Sequence, residues 1–147
     1  MNKKTTMRME QIEVLWQGKV NQFPYRIYTS TTKNYVETMK DFEELSLMTR
    51  HYDGYIREIA IVKLMQLFPS ESIPYIVQLL GEYVMEIHLT IIACITPQQK
   101  SWIKEFFTEN TLYERTIRSR IVSYWNCNYR FDFIKLKNYP AFQFLSD

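Results

Sequence analysis

The side chains able to hold a transition metal through nitrogen or sulfur are few: His51, His88, Cys94 and Cys127. They form no CxxC, HExxH or facial-triad spacing, so a catalytic metal is not expected. Nucleophilic catalysis needs a base beside a serine or cysteine. Neither cysteine has a histidine near it in sequence, and no G-x-S-x-G or glycine-rich phosphate loop occurs in a chain with three glycines. The carboxylates Glu58 and Glu86 are more suggestive. They stand 28 positions apart in two nearly matching segments, and stacking those segments would bring both acids onto neighbouring helices, where one could hold a proton for the other. The competing reading is an ion pair between segments, with Arg57 as the cation. His88 reads either as a partner contact or as a hydrogen-bonded core histidine.

Periodicity indicates the elements that must position these groups. "MRMEQIEVLW" fits a helix carrying Met9, Ile12 and Trp16 on one side, Gly18 interrupts, and "QFPYRIYTST" looks locally extended without a visible partner strand. From Asn34 the stripe Tyr35, Met39, Phe42, Leu45 and Met48 predicts one helix. Asp53 is the expected cap of a helix running to about Phe68. Ser70 or Ser72, with Pro74 in the first turn and Gly81 at the end, brackets the next. A helix over residues 82–95 follows, with Glu82, Glu86 and Thr90 as a polar line and Cys94 as a buried small hydrophobe. "TPQQ" predicts a capping box for a helix with Trp102, Ile103, Phe106 and Phe107 inward. Asn110 opens another, with Leu112, Tyr113, Ile117, Ile121, Tyr124 and Trp125 inward and a Glu114–Arg118 pair. For "NCNYRFDFIKLKNYPAFQFLSD" we expect a short helix to Asn138, a break at Pro140 and an apolar tail folded back on the core.

The helices repeat. Tyr55, Ile56, Glu58 and Ile59 return as Tyr83, Val84, Glu86 and Ile87, and a shift of 30 aligns Tyr83, Ile87, Ile91 and Ile95 with Tyr113, Ile117, Ile121 and Trp125. A helix pair that cannot bury its apolar faces alone can do so by stacking on its copies. The stretch "DGYIREIAIVKLMQLFPSESIPYIVQLLGEYVMEIHLTI" resembles the short bacterial HEAT-like repeat. Asp53, Gly54, Tyr55, Ile56, Arg57, Glu58 and Ala60 match its first half, Pro74, Leu79 and Leu80 its middle, and Tyr83, Val84, Glu86 and Ile87 the next copy. Met85 and His88 depart from it, standing at the usual arginine and small-residue places. The resemblance implies an all-α fold, a short α-α superhelix over 34–125, with irregular, partly extended capping segments 1–33 and 126–147 in one domain. It also implies protein binding on a concave surface; a few relatives act on DNA bases or attach bilins.

Composition sets limits on partners. Hydrophobic residues make up 46% of the 147 and aromatics 16%, which suits a folded core rather than a disordered chain. The formal charge of +2 is too small to imply nucleic acid. Residues 51–95 carry two basic and five acidic side chains, net −3, between flanks of net +2 and +3. An acidic middle can steer a basic partner. No secretory or membrane-spanning segment is legible, so a cytoplasmic location is expected. The function expected is therefore a non-enzymatic protein-binding module without cofactor, of the kind of an immunity protein that caps a basic toxin domain. Its contact residues would be Tyr55, Glu58, Tyr83, Glu86 and His88, with Arg115 and Arg118 at the margin. The alternative is a HEAT-like nucleic-acid-binding or base-repair protein using the C-terminal basic and aromatic patch, in which Arg115, Arg118, Arg120, Arg130, Lys135 and Lys137 interleave with Tyr124, Trp125, Tyr129 and Phe131. A third reading has the aromatic tail complete a homodimer.

Overall fold

The computed structural model describes residues 10–147. Among them a two-stranded antiparallel hairpin precedes eight α-helices. The strands are β1 (Gln11–Trp16) and β2 (Lys19–Pro24). The helices are α1 (Lys33–Thr38), α2 (Phe42–Met48), α3 (Gly54–Leu67), α4 (Ile73–Leu80), α5 (Met85–Cys94), α6 (Pro97–Glu109), α7 (Thr111–Tyr124) and α8 (Pro140–Leu145). The fold is mostly helical, 62% by residue, but the all-α expectation is corrected by the hairpin. None of the described helices is long and apolar enough to cross a membrane.

The helix expected over "MRMEQIEVLW" is a strand in its described part; Met9 lies outside the described residues. Alternation decides it. Val14 and Trp16 are buried and Ile12 packs against the core, while Gln11, Glu13 and Leu15 face out. Ile12 pairs with Phe23, and Trp16 with Lys19. The connection is Gln17–Gly18, with φ of 52° and 78°, the paired positive values of a type I′ turn that follows the twist of the strands. Gly18 supplies its value at no steric cost. Pro24 ends β2, and the next residues stay extended, with Ile27 bridging to His51.

The single helix expected from Asn34 is two. Thr32 caps α1 and Asp41 caps α2, accepting from the Tyr35 and Glu44 amides. That second cap restarts the helix after Met39, and Tyr35 consequently lies exposed. Downstream the caps fall as expected. Asp53 accepts from the Tyr55 amide, and Thr96 and Gln99 close the capping box of α6. Ser72 holds the cap position of α4, but its hydroxyl donates to Pro69 O instead. Every residue of α4 is buried, so α4 is the central helix. Gly81 ends it where α7 crosses closely: a Cβ there would lie 2.6 Å from Ile117 Cδ1.

Three further expectations are corrected. The helix predicted over 82–95 starts at Met85, leaving Glu82 in the turn before it and buried. Leu112, in the first turn of α7, is exposed. Cys94, the last residue of α5, is exposed beyond the Ile87, His88 and Ile91 positions that pack inward. At the C-terminus α7 runs into a π-helical turn (Trp125–Tyr129), then a 3-10 turn (Leu136–Asn138). Pro140 begins α8 rather than breaking a helix. α8 buries Ala141, Phe144 and Leu145 against α5 and α7, so the tail folds onto its own core.

Candidate functional site

The N-terminal ends of α3 and α5 meet at one edge of the molecule. Asp53, Gly54, Tyr55 and Glu58 from α3, with Val84, Glu86 and Ile87 from α5, line a concavity of about 290 Å³. Three carboxylates border it. Asp53 accepts from the Tyr55 amide and Glu58 from the Thr90 hydroxyl, while Glu86 is exposed. Lys33 Nζ lies 4.6 Å from the Tyr55 ring centroid, so that ring face already takes a cation.

Tyrosines extend the edge on both sides. Tyr28 and Tyr52 stack with centroids 5.8 Å apart, and Tyr52 stacks in turn on His51. Tyr55 is 66% exposed and Tyr83 54%. Tyr83 lies 6.0 Å from Tyr124, and its carbonyl accepts from Tyr129 Oη. Two groups of rings thus lie on this side of the molecule, Tyr28 with Tyr52 and Tyr83 with Tyr124. Rings of this kind offer large contact area with few rotatable bonds, which suits recognition.

A buried polar cluster holds the edge in place. Glu82 is 4% exposed and pairs with Arg50, which is fully buried. Arg26 Nη2 lies 3.3 Å from Glu82 Oε1 and Arg57 Nε 4.0 Å from it. Gln78 Nε2 donates to the other carboxylate oxygen at 2.9 Å, and Tyr113 Oη donates to Gln78 Oε1. Burial would raise the Glu82 carboxyl, but Arg50 and Arg26 outweigh it and hold the group below the usual glutamate value. The guanidiniums also reach outward to backbone. Arg50 donates to Pro24 O, Tyr25 O and Thr49 O, and Arg57 to His51 O and Tyr52 O. His51 completes the clamp, donating from Nε2 to Thr29 O and accepting the Asp53 amide at Nδ1. The extended segment that bears Tyr28 and the turn that bears Tyr52 are therefore fixed by charge-assisted bonds.

Of the residues singled out by sequence, Tyr55, Glu58 and Glu86 meet in the concavity and Tyr83 flanks it. His88 does not: it is fully buried, with Nε2 donating to Leu79 O at 3.0 Å, so it cannot reach a partner. Glu58 and Glu86 border the concavity together, yet Glu58 takes its hydrogen bond from Thr90, and Arg57 turns to Glu82 rather than to either. Arg118 is held by Glu114 and Leu145 O and lies over the Phe107 ring, away from the concavity; Arg115 is exposed on α7. Sequence reasoning missed Tyr28, Tyr52 and the Arg26–Arg50–Arg57–Glu82 cluster. A usable signal was Glu82 itself, a lone charge directly after an eight-residue helix with no charged residue. Among the described residues no group of three His, Cys, Asp or Glu side chains could hold a metal ion.

Burial has a measurable consequence at His88. It lowers the imidazole from its ordinary 6.5 to about 4, against the raising effect of the Leu79 and Glu82 carbonyls and the Glu82 and Glu86 charges. A depressed folded value means that the unfolded chain takes the proton first. The stability present above pH 6.5 is then lost progressively down to about pH 4, by about 3 kcal/mol in all. Urea midpoints measured between pH 7 and pH 4 should fall more steeply for the wild type than for His88→Gln, and parallel curves would remove His88 from this role.

Comparison with family models, with curated proteins and with solved structures finds no match.

Proposed function

We propose that this chain is a non-enzymatic protein-binding module that takes a basic partner at the edge formed by α3 and α5. The observation that carries the reading is the concavity itself, which Asp53, Glu58 and Glu86 line together with the exposed Tyr55. Asp53 and Glu58, both held by hydrogen bonds, and the exposed Glu86 complement a lysine or arginine side chain in charge, and Lys33 on the Tyr55 ring shows that this ring accepts a cation. The clamp beneath the edge supports this, because preorganised contact residues lose less entropy on binding. The packing of α3 on α5 and of α4 on α6 supports a short stack of HEAT-like helix pairs. α7 departs from a strict repeat, lying against α4, α6 and α8.

An immunity protein that neutralises a basic toxin domain is the specific role this edge fits best. The nucleic-acid alternative has less support. Arg118 is engaged by Glu114 and Leu145, and Trp102 and Trp125 are half-buried rather than displayed for stacking, Trp125 donating its indole N–H to Phe133 O.

The test uses a basic partner from the native host that forms a 1:1 complex with the wild type on gel filtration. Tyr55→Ala with Glu86→Gln should weaken that complex by roughly tenfold to a hundredfold. The fold should survive, since both side chains lie at the surface. A complex unaffected by the double variant would defeat the proposal, as would salt-sensitive binding to labelled DNA with no protein complex.

A further inference from the structure

The turn between the π-helical and 3-10 segments carries a feature that the α3/α5 edge does not use. Phe131 is 92% exposed and Ile134 82%, the two most exposed of the large hydrophobic side chains described. They are held out rather than loose. Between them Phe133 turns inward, its amide donating to Tyr129 O, its carbonyl accepting from Trp125 Nε1 at 2.6 Å, and its ring packing edge-on to Tyr139. With that residue anchored, its neighbours stand out from the surface. Around them lie three exposed cations, Arg130, Lys135 and Lys137, and one acid, Asp132. The Arg130 guanidinium lies 5.8 Å from the Phe131 ring centroid, so a charge and a ring leave the surface together.

We propose that residues 130–137 form a docking loop for an anionic lipid surface. Phe131 and Ile134 enter the headgroup layer, and Arg130, Lys135 and Lys137 pair with lipid phosphates. Two exposed apolar side chains with a net positive rim combine the two weak signals that reversible surface attachment requires. Residues 1–9 are an unsuitable cover on charge, since they carry Lys3, Lys4 and Arg8 and no acid. Attachment at this loop would place the molecule against a membrane without a spanning helix among the described residues.

Co-sedimentation of the full chain with vesicles tests this. Vesicles of phosphatidylcholine with a third of phosphatidylglycerol should bind the protein, and pure phosphatidylcholine should not. Binding should weaken as salt rises past about 0.1 M. Phe131→Ser with Ile134→Ser should lower the partition coefficient by roughly tenfold or more, and Lys135→Ala with Lys137→Ala should do the same at low salt. Far-ultraviolet circular dichroism should be unchanged, because all four side chains face solvent. Failure to bind anionic vesicles, or binding that the double serine variant leaves intact, would overturn the assignment. So would a dimer in solution that dissociates in that variant, since a second copy would then be the cover.

Discussion

Glu82→Gln is expected to destabilise the protein by about 3–5 kcal/mol, measured as the shift in urea unfolding free energy at pH 7. The substitution keeps the size and the Gln78 contact but removes the one carboxylate among three guanidiniums. Arg50 is fully buried and Arg57 nearly so, and neither can turn to water without dismantling its backbone bonds. Mutual repulsion among Arg26, Arg50 and Arg57 then acts in a site of low polarity. Arg57 is already lowered from its ordinary value, first by burial and then by Arg26, so the cluster is crowded with positive charge even in the native protein. If charge is the cause, adding Arg26→Met to Glu82→Gln should recover part of the loss, because it removes the most exposed of the three cations. A single variant as stable as the wild type, or a double variant less stable than the single, would refute the account.

The same residue sets a pH limit. The folded Glu82 carboxyl lies below its ordinary value, so its contribution is present above the unfolded glutamate value and is lost as pH falls through the folded one. In the wild type this loss lies at lower pH than the decline due to His88, and Glu82→Gln abolishes it while leaving the His88 decline in place.

How far the sequence reveals such a site depends on the range of the interactions that build it. Caps are local, so Asp53, Thr96 and Gln99 were readable directly: each uses a side chain and an amide two or three residues apart. The matched segments around Tyr55 and Tyr83 place Glu58 and Glu86 on one concavity, but their helices begin out of step, with Tyr55 inside α3 and Tyr83 before the start of α5. The hairpin was missed for a physical reason. Ile12 and Trp16 are four apart, a spacing shared by one face of a helix and one face of a strand, and only Val14 between them decides in favour of the strand. Its partner strand was hidden by Lys19, Val20, Asn21 and Gln22, of which none is buried. The partners in the Arg–Glu82 cluster were illegible, although Glu82 stood out as a lone charge after an uncharged helix. The cluster joins residues 26, 50, 57 and 82, and no local pattern links them. His51, His88 and Glu82 illustrate the general difficulty: a polar side chain in an apolar sequence can be a site or a support, and only its partners distinguish the two.

Trp16→Ala is expected to cost about 3–5 kcal/mol and to release the hairpin from the helices. Trp16 is 4% exposed, and its ring meets Phe106 edge-on with centroids 5.9 Å apart. Its indole N–H donates to Ser70 O at 2.8 Å, tying β1 to the α3–α4 turn. Asn110 makes the neighbouring attachment, accepting from the Leu15 amide and donating to the Leu15 carbonyl, so that a side-chain amide serves as the next strand for this stretch of β1. An isolated two-stranded hairpin is marginal in water, so its order depends on its tertiary anchors, these two together with Phe23 packed on Tyr75. Trp16→Phe separates packing from hydrogen bonding. It keeps most of the aromatic contact and leaves the Ser70 carbonyl without its donor, for an expected loss of about 1–2 kcal/mol. Amide exchange across residues 11–24 supplies the second readout. Protection there should collapse in Trp16→Ala before that of α4, because the central helix keeps its contacts with α3, α6 and α7. Since β2 leads directly into the segment held by Arg50 and His51, loosening the hairpin should also blur the tyrosine edge, and partner binding should weaken in Trp16→Ala although Trp16 lies outside the concavity. Hairpin and α4 losing protection together would show instead that the hairpin belongs to the same cooperative unit as the core.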